Sequence, residues 1–361
     1  MMNKKALIFG AGAIGRGFLA PLLQSCNYQI SFVDKDKKII RRLKNRQTYK
    51  VAVTQNKKYE FQEIKINDAF HINEKFNIKK YQIIFCCVGP NQCKKIAHKF
   101  KHAKTVISCE NDIASVEYIK KISGNKNIFF GIPDVITSNT ASQNLLNIDN
   151  LMTVTEKGML VLQKGNYKLP KKILQVKKSY LEMHWRCKLF IHNAPHAILA
   201  YLGYLKGYRY MHEAMNDKKI KQVIIGAMNE ITKGIINAKY VSKSFAENYK
   251  KKEIKRFSNK LLFDPILRVA REPLRKLGKE NRIVLALKVA LWSNKFPKNT
   301  AVGIKAALNY YHKSDPESAY LQKLRKKIKD SKVLEKICGI EETDPLNNFC
   351  LQQNLEKILK K

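Results

Sequence analysis

The chain has 361 residues, enough for two ordinary domains, and its 45% apolar content is that of a globular protein with a real core. Its 69 lysines and arginines against 29 acidic residues give a net charge of +40, which favours anionic ligands. The lysines are spread along the whole chain and no zinc-finger spacing or RNA-recognition signature is present, which argues against a dedicated nucleic-acid function; no run of about 18 apolar residues exists to span a membrane.

The basic start with its apolar run, "MMNKKALIFGAGAIG", superficially resembles a signal peptide. The run is short, is cut by three glycines and meets Arg16, so a buried strand is the better reading. "KALIF" reads as that strand and "GAIGRGFLAPLLQS" as a helix; "QISFVD" is a second strand and "KKIIRRLKNR" a second helix. "YKVAVTQNKKYEFQEIKI" alternates with period two and predicts a hairpin. "YQIIFCCVG", "KTVISC" and "NIFFGI" follow as buried strands. Strands alternating with helices predict an α/β fold with a doubly wound parallel sheet. "LMTVTEKGMLVLQKG" looks extended. Strand signals fade after Lys178, and "AILAYLGYLKG", "IKQVIIGAMNEITKGIINA", "NRIVLALKVALWSN" and "TAVGIKAALNYYHK" carry helical periodicity. The expected organisation is a nucleotide-binding domain over 1–178 and a mostly α-helical C-terminal domain over 179–361, closing on an amphipathic "LQQNLEKILKK" helix. The eight cysteines form no CxxC pair, so no metal site is expected, and their places in apolar strands suit a reducing cytoplasm.

The first βα turn carries GxGxxG at Gly10, Gly12 and Gly15. The first glycine permits a tight turn, the second lets the backbone approach a pyrophosphate, and the third lets helix and sheet pack closely. The loop from Phe9 through Ala11, Ala13, Ile14, Arg16 and Gly17 is therefore expected to bind a dinucleotide at the helix N-terminus, in a Rossmann-type domain. Asp34 ends the next strand 19 residues after Gly15, where an acid would accept from a ribose 2′-OH and repel a 2′-phosphate. NAD is thus favoured over NADP, although Lys35, Lys37 and Lys38 lie nearby and would soften the preference.

A second polar cluster sits in the apolar stretch "KLFIHNAPHA". Wound at about 100° per residue, Lys188 lies at 0°, His192 at about 40°, His196 at about 80° and Asn193 at about 140°. A lysine, an amide and an imidazole on one arc can form a proton-transfer site, since burial lowers a lysine pKa towards that of a useful base. The competing reading is a lysine that reaches solvent and a satisfied core histidine. Pro195, inside the helical pattern, has no sequence-level explanation.

Taken together, "GAGAIGRGF", "CCVGP", "SCEN", "CKLFIHNAPHAILAYLGYLKG" and "VAREPLRKLGKENRI" make nearly the whole chain resemble the polyol-specific long-chain dehydrogenases, and its length suits their compact phosphate-using branch. The resemblance implies a zinc-independent, NAD-dependent interconversion of a sugar-alcohol phosphate and a keto-sugar phosphate, with D-mannitol 1-phosphate and D-fructose 6-phosphate as the expected pair. Lys188 would be the general base, Asn193 and Asn111 would donate hydrogen bonds to the reacting oxygen, and His196 would orient the substrate or Lys188. Arg271 and Arg275 would anchor the phosphate, unless "REPLRKL" is only a solvated basic turn. The chain departs from the family pattern at Val135, where arginine is usual, and at Met159 and Leu160, where a Glu-Trp pair is usual. It also lacks the carboxylate that normally precedes the lysine, having Trp185, Arg186 and Cys187 there, and carries His192 in place of leucine. A hexuronate or unphosphorylated polyol as substrate, and a homologue that binds NAD(H) or an anionic polymer without turnover, are the alternatives. A homo-oligomer is left open.

Overall fold

The computed structural model describes residues 4–167, 169–170 and 173–360. The first three residues of the basic start and the terminal Lys361 lie outside the described residues. The chain divides into two compact units. One ends at Trp185 and takes in Leu261–Phe263; the other runs from Arg186 to Lys260 and resumes at Asp264.

The first unit contains twelve described strands: β1 (Lys4–Phe9), β2 (Tyr28–Asp34), β3 (Thr48–Gln55), β4 (Lys58–Lys65), β5 (Asp68–His71), β6 (Ile83–Cys86), β7 (Val106–Ser108), β8 (Ile128–Asp134), β9 (Thr137–Ser138), β10 (Thr153–Glu156), β11 (Met159–Gln163) and β12 (Leu174–Val176). Eight form one sheet in the order β12-β11-β8-β7-β6-β1-β2-β5. Its parallel part, β5-β2-β1-β6-β7-β8, has the doubly wound 3-2-1-4-5-6 order, with Phe9 paired to Val33 on one side and Cys86 on the other. The apolar runs of β1 and β6 are wholly buried because helices cover both faces of such a sheet. β11 joins antiparallel to β8 and extends the sheet.

The alternating segment at 49–66 is the expected hairpin: β3 and β4 pair antiparallel from Thr48↔Lys65 to Gln55↔Lys58. It belongs to a second, four-stranded sheet, β4-β3-β10-β9, in which β3 also pairs parallel with β10. β5 and β12, which alternation did not predict, are only four and three residues long.

The second unit is helical throughout its described residues, apart from an isolated bridge between Tyr210 and Pro265. Helices Ala194–Leu205, Lys218–Asn237, Arg282–Ala290 and Lys298–Leu308 coincide with the periodic segments. Asp217 caps the longest by accepting from Ile220 N. The expected C-terminal helix is broken: one helix ends at Leu351, and a single turn, Glu356–Leu359, follows.

Two helical segments are wound wider than an α-helix. Gly15–Leu19 and Lys188–Asn193 make i→i+5 bonds, closed by Ala20 N to Gly15 O and Ala194 N to Leu189 O. Each wide turn ends two residues before a proline, Pro21 and Pro195. Proline cannot donate to the carbonyl four residues back, and in an ordinary α-helix its ring would collide with it. Widening the preceding turn displaces that carbonyl, which accounts for Pro195 inside a continuous helical stretch.

Candidate active site

A cavity of about 450 Å³ opens at the carboxyl ends of β1 and β2, lined by Phe9, Gly10, Gly12, Val33 and Asp34 on one side and by Cys87, Val88, Gln92 and Lys95 on the other. This is the switch point of a doubly wound sheet, where ligands bind. Gly10 has φ +104°, and a Cβ there would lie 2.7 Å from Cys87 O. A Cβ on Gly15 would collide with the Gly10 carbonyl. A Cβ on Gly12 would meet no atom within 4 Å, so the backbone there is open to a ligand. The three glycines thus have the three separate uses that the motif requires.

Asp34 accepts from Ala11 N at 2.6 Å and from Asp36 N at 2.9 Å. A carboxylate has about four lone-pair sites, so acceptors remain for a ribose hydroxyl. Of the expected cofactor residues, Phe9, Gly10, Gly12 and Asp34 line the cavity, whereas Ala11, Ala13, Ile14, Gly15, Arg16 and Gly17 do not. Arg16 points inward instead. Its Nε donates to Ala11 O at 2.6 Å and its Nη1 to Leu151 O, while its own carbonyl accepts from Tyr49 Oη at 2.8 Å. It braces the loop from behind.

Glu110, to which sequence reasoning assigned no role, is a buried carboxylate just before Asn111. Its Oε1 accepts from Gly89 N at 3.0 Å, tying the loop after β7 to the loop after β6 that lines the cavity. Burial raises its pKa to about 7, against the backbone donors of Gly89 and Val88. Asn111 itself is exposed, and its carbonyl accepts from Trp185 Nε1 at 3.4 Å. The folded state holds the Glu110 proton more tightly than the unfolded chain. Stability present below about pH 4.5 therefore falls as pH rises to about 7, by about 3 kcal/mol. Glu110→Gln should melt higher than the native protein at pH 8 and no higher at pH 4.5. A difference independent of pH, followed by thermal melts across this range, would refute the assignment.

Glu110 also lies with Cys86 and Cys93 in a buried group whose ligand atoms are within 4.8 Å of one another. The sequence reading saw no metal-ligand grouping, because these residues come from a strand, a helix and a loop rather than a CxxC pair. The thiols already contact each other at 3.5 Å, and burial helps raise the Cys86 pKa after the Cys93 hydrogen bond. That environment favours a neutral Cys86 thiol rather than a metal-binding thiolate.

In the second unit, the wide turn carries Lys188 half-buried and His192 and Asn193 buried, with His196 buried one turn on. An i→i+5 turn narrows the angle between Lys188 and Asn193 below that of an ordinary α-helix, so the wide winding brings the lysine and the amide towards one side. His192 Nδ1 lies 2.5 Å from Glu253 Oε2, and burial pushes the His192 pKa down to about 4 despite that carboxylate. His196 Nε2 lies 3.0 Å from Asp264 Oδ2 without the alignment of a hydrogen bond. Burial acts to raise the Asp264 pKa, but Arg268 and His196 outweigh it and hold the group ionised well below the carboxylate range.

"REPLRKL" is docked rather than solvated. Pro273 and Leu277 are buried, Glu272 N donates to Asp315 at 2.9 Å, and Arg275 N donates to Glu317 at 3.0 Å. Arg271 is exposed. Arg275 is paired with Glu272 through Nε at 2.7 Å and Nη2 at 2.6 Å. Lys276 is buried against Arg271 O, and burial, then Arg282 and Arg275, drive its pKa well down. Arg282, absent from the expected site, feels the same crowding: burial and Arg275 lower it to about 10. Its side chain bonds Asn281 Oδ1 at 3.3 Å, and among the described residues no carboxylate pairs with it. The buried Tyr201 hydroxyl, which interacts electrostatically with Arg282 and Arg275, has no hydrogen-bond partner among the described residues.

Residues 4–127 match the mannitol dehydrogenase Rossmann domain, and residues 178–342 match the mannitol dehydrogenase C-terminal domain. A mannitol-1-phosphate 5-dehydrogenase of Thermoanaerobacter pseudethanolicus is 31% identical over 369 residues, covering 95% of each chain. The chain belongs to the mannitol dehydrogenase family. A mannitol-1-phosphate 5-dehydrogenase of Buchnera aphidicola subsp. Acyrthosiphon pisum is 30% identical, over 98% of this chain and 99% of its own. The fold is also that of Pseudomonas fluorescens mannitol 2-dehydrogenase, solved with NAD and D-mannitol, at TM-score 0.78 and 15% identity over 99% and 94% of the two chains. The polyol dehydrogenase resemblance and the fold class read from the sequence are therefore borne out. No helix among the described residues is long and apolar enough to cross a membrane.

Proposed function

We propose that the protein is an NAD-dependent oxidoreductase that interconverts D-mannitol 1-phosphate and D-fructose 6-phosphate. The observation that carries this reading is near-full-length likeness, at about 30% identity, to relatives bearing that activity in their names. The cavity supports it: Gly12 leaves the backbone open, and Asp34 retains free acceptors beside it.

NAD, held by the 10–15 loop and Asp34, supplies the hydride acceptor at its nicotinamide. With NAD bound as the hydride acceptor, Lys188 would take the hydroxyl proton during alcohol oxidation as the carbonyl forms. Asn193 and Asn111 donate hydrogen bonds to the oxygen as it gains negative charge. His196 orients the substrate or Lys188. Arg271 and Arg275, joined by Arg282, hold the phosphate dianion; guanidinium forks match its oxygens.

Asp34 should select the free 2′-OH. NADH is expected to bind more tightly than NADPH, and Asp34→Ser to narrow the gap, as read by cofactor fluorescence titration. Equal affinities in the native protein would defeat the ribose assignment. Incubation with NADH and fructose 6-phosphate should yield mannitol 1-phosphate. Tight NADH binding with no turnover on any sugar would instead favour the non-catalytic binder.

A further inference from the structure

Two chains of groups, buried except for the part-exposed Arg268, run side by side in the second unit. In one, His192 Nδ1 meets Glu253 Oε2 at 2.5 Å, and Glu253 Oε1 accepts from Arg256 Nη1 at 2.7 Å. In the other, His196 Nε2 faces Asp264 Oδ2 at 3.0 Å, and Asp264 Oδ1 accepts from Arg268 Nε at 3.0 Å and Nη2 at 2.5 Å. The imidazoles meet with ring centroids 5.0 Å apart, and both pack on Phe257, His196 stacked on it at 4.9 Å and His192 tilted at 5.5 Å. Glu253, Arg256 and Phe257 all come from the helix Lys243–Phe257. Glu253 is wholly buried.

The chemistry of the pair is unequal. His196 contacts its carboxylate out of line, so Asp264 does not fix the ring by itself. His192 is held by a short bond to a carboxylate that an arginine also pins. Neutral, as burial requires, it carries its proton on Nδ1 towards Glu253 and presents a fixed ring face to its neighbour.

We propose that His192, clamped by Glu253 and Arg256, is a positioning residue that locks the His196 ring against Phe257 and Asp264 in the orientation used for turnover. The inference rests on the reading above that His196 serves the reaction; the ring-locking itself is testable without it.

The experiment uses the full chain with selectively ¹⁵N-labelled histidines, eight in all. In the native protein, His192 should show the fixed Nδ1–H tautomer and His196 a single ordered ring environment. His192→Leu removes the donor; His192→Asn keeps one near the Nδ1 position. The leucine variant should shift or broaden the His196 nitrogen resonances and lower kcat with fructose 6-phosphate by roughly 10- to 100-fold, the scale of a small misplacement. NADH affinity should not change, and the asparagine variant should restore most of both signals. Averaged histidine rings in the native protein would overturn the inference even if the leucine variant fails to fold. So would unmoved His196 resonances in a folded leucine variant, or an asparagine variant as impaired as leucine. If the native protein turns over no sugar, the functional reading fails while the resonances still decide whether His192 locks the ring.

Discussion

Lys188→Ala is expected to lower turnover of fructose 6-phosphate by about 10²- to 10⁴-fold, the range of a positioned general base. The lysine leaves a wide turn whose neighbours Leu189, Phe190 and Ile191 are buried, so its backbone is fixed and its half-buried side chain starts from a rigid base. Truncation to alanine removes the amine without disturbing the i→i+5 bonds. NADH affinity should be unchanged, because the residues around the 10–15 loop that line the cofactor cavity belong to the other unit. Chelators should leave turnover as it was, since the proton is taken by an amine. Steady-state kinetics and cofactor titration on the same preparation check both halves; near-normal turnover in the variant would remove Lys188 from the mechanism.

Arg275→Ala and Arg282→Ala should each raise KM for fructose 6-phosphate by about 10- to 100-fold, the worth of one charged hydrogen-bonding partner, while barely affecting fructose. Arg275 is held by Glu272 and, through its backbone, by Glu317, so its fork is oriented before substrate arrives. Among the described residues Arg282 has no carboxylate ion pair of its own; burial first and then Arg275 depress its pKa, against the charge of Glu272, which is paired with Arg275. A dianion relieves that repulsion. The exposed Arg271 should matter less. Equal changes for fructose and its phosphate would show that the two side chains support the fold rather than bind phosphate.

What was legible in the sequence was local. The GxGxxG turn, Asp34 and the hairpin at 49–66 depend on neighbours a few residues apart or on simple alternation, and each is where the pattern put it. The partner of that hairpin, β10, lies about a hundred residues on and carries no mark of its destination. Short β5 and β12 give alternation too few residues to register. The wide turns were invisible to a fixed 100° winding, although a proline inside each helical pattern was their signal. The roles of Glu110 and of His192, which was placed on the polar arc but given no task, were missed for another reason. Their meaning comes from partners 21 and 61 residues away, Gly89 and Glu253, that only the folded chain brings into contact. Arg282 could have been suspected, since it lies in the quoted "VAREPLRKLGKENRI" segment, but its burial against Arg275 shows only in the fold.

The most direct test of the central claim is the initial rate of NADH oxidation by the purified protein across a panel of fructose 6-phosphate, fructose, and the keto forms of hexuronates. The account predicts turnover with fructose 6-phosphate, at a kcat/KM far above that for fructose and for the hexuronates, giving mannitol 1-phosphate as product. Equal kcat/KM for fructose and its phosphate, a hexuronate as the best substrate, or NADH binding with no oxidation on any of them would contradict it.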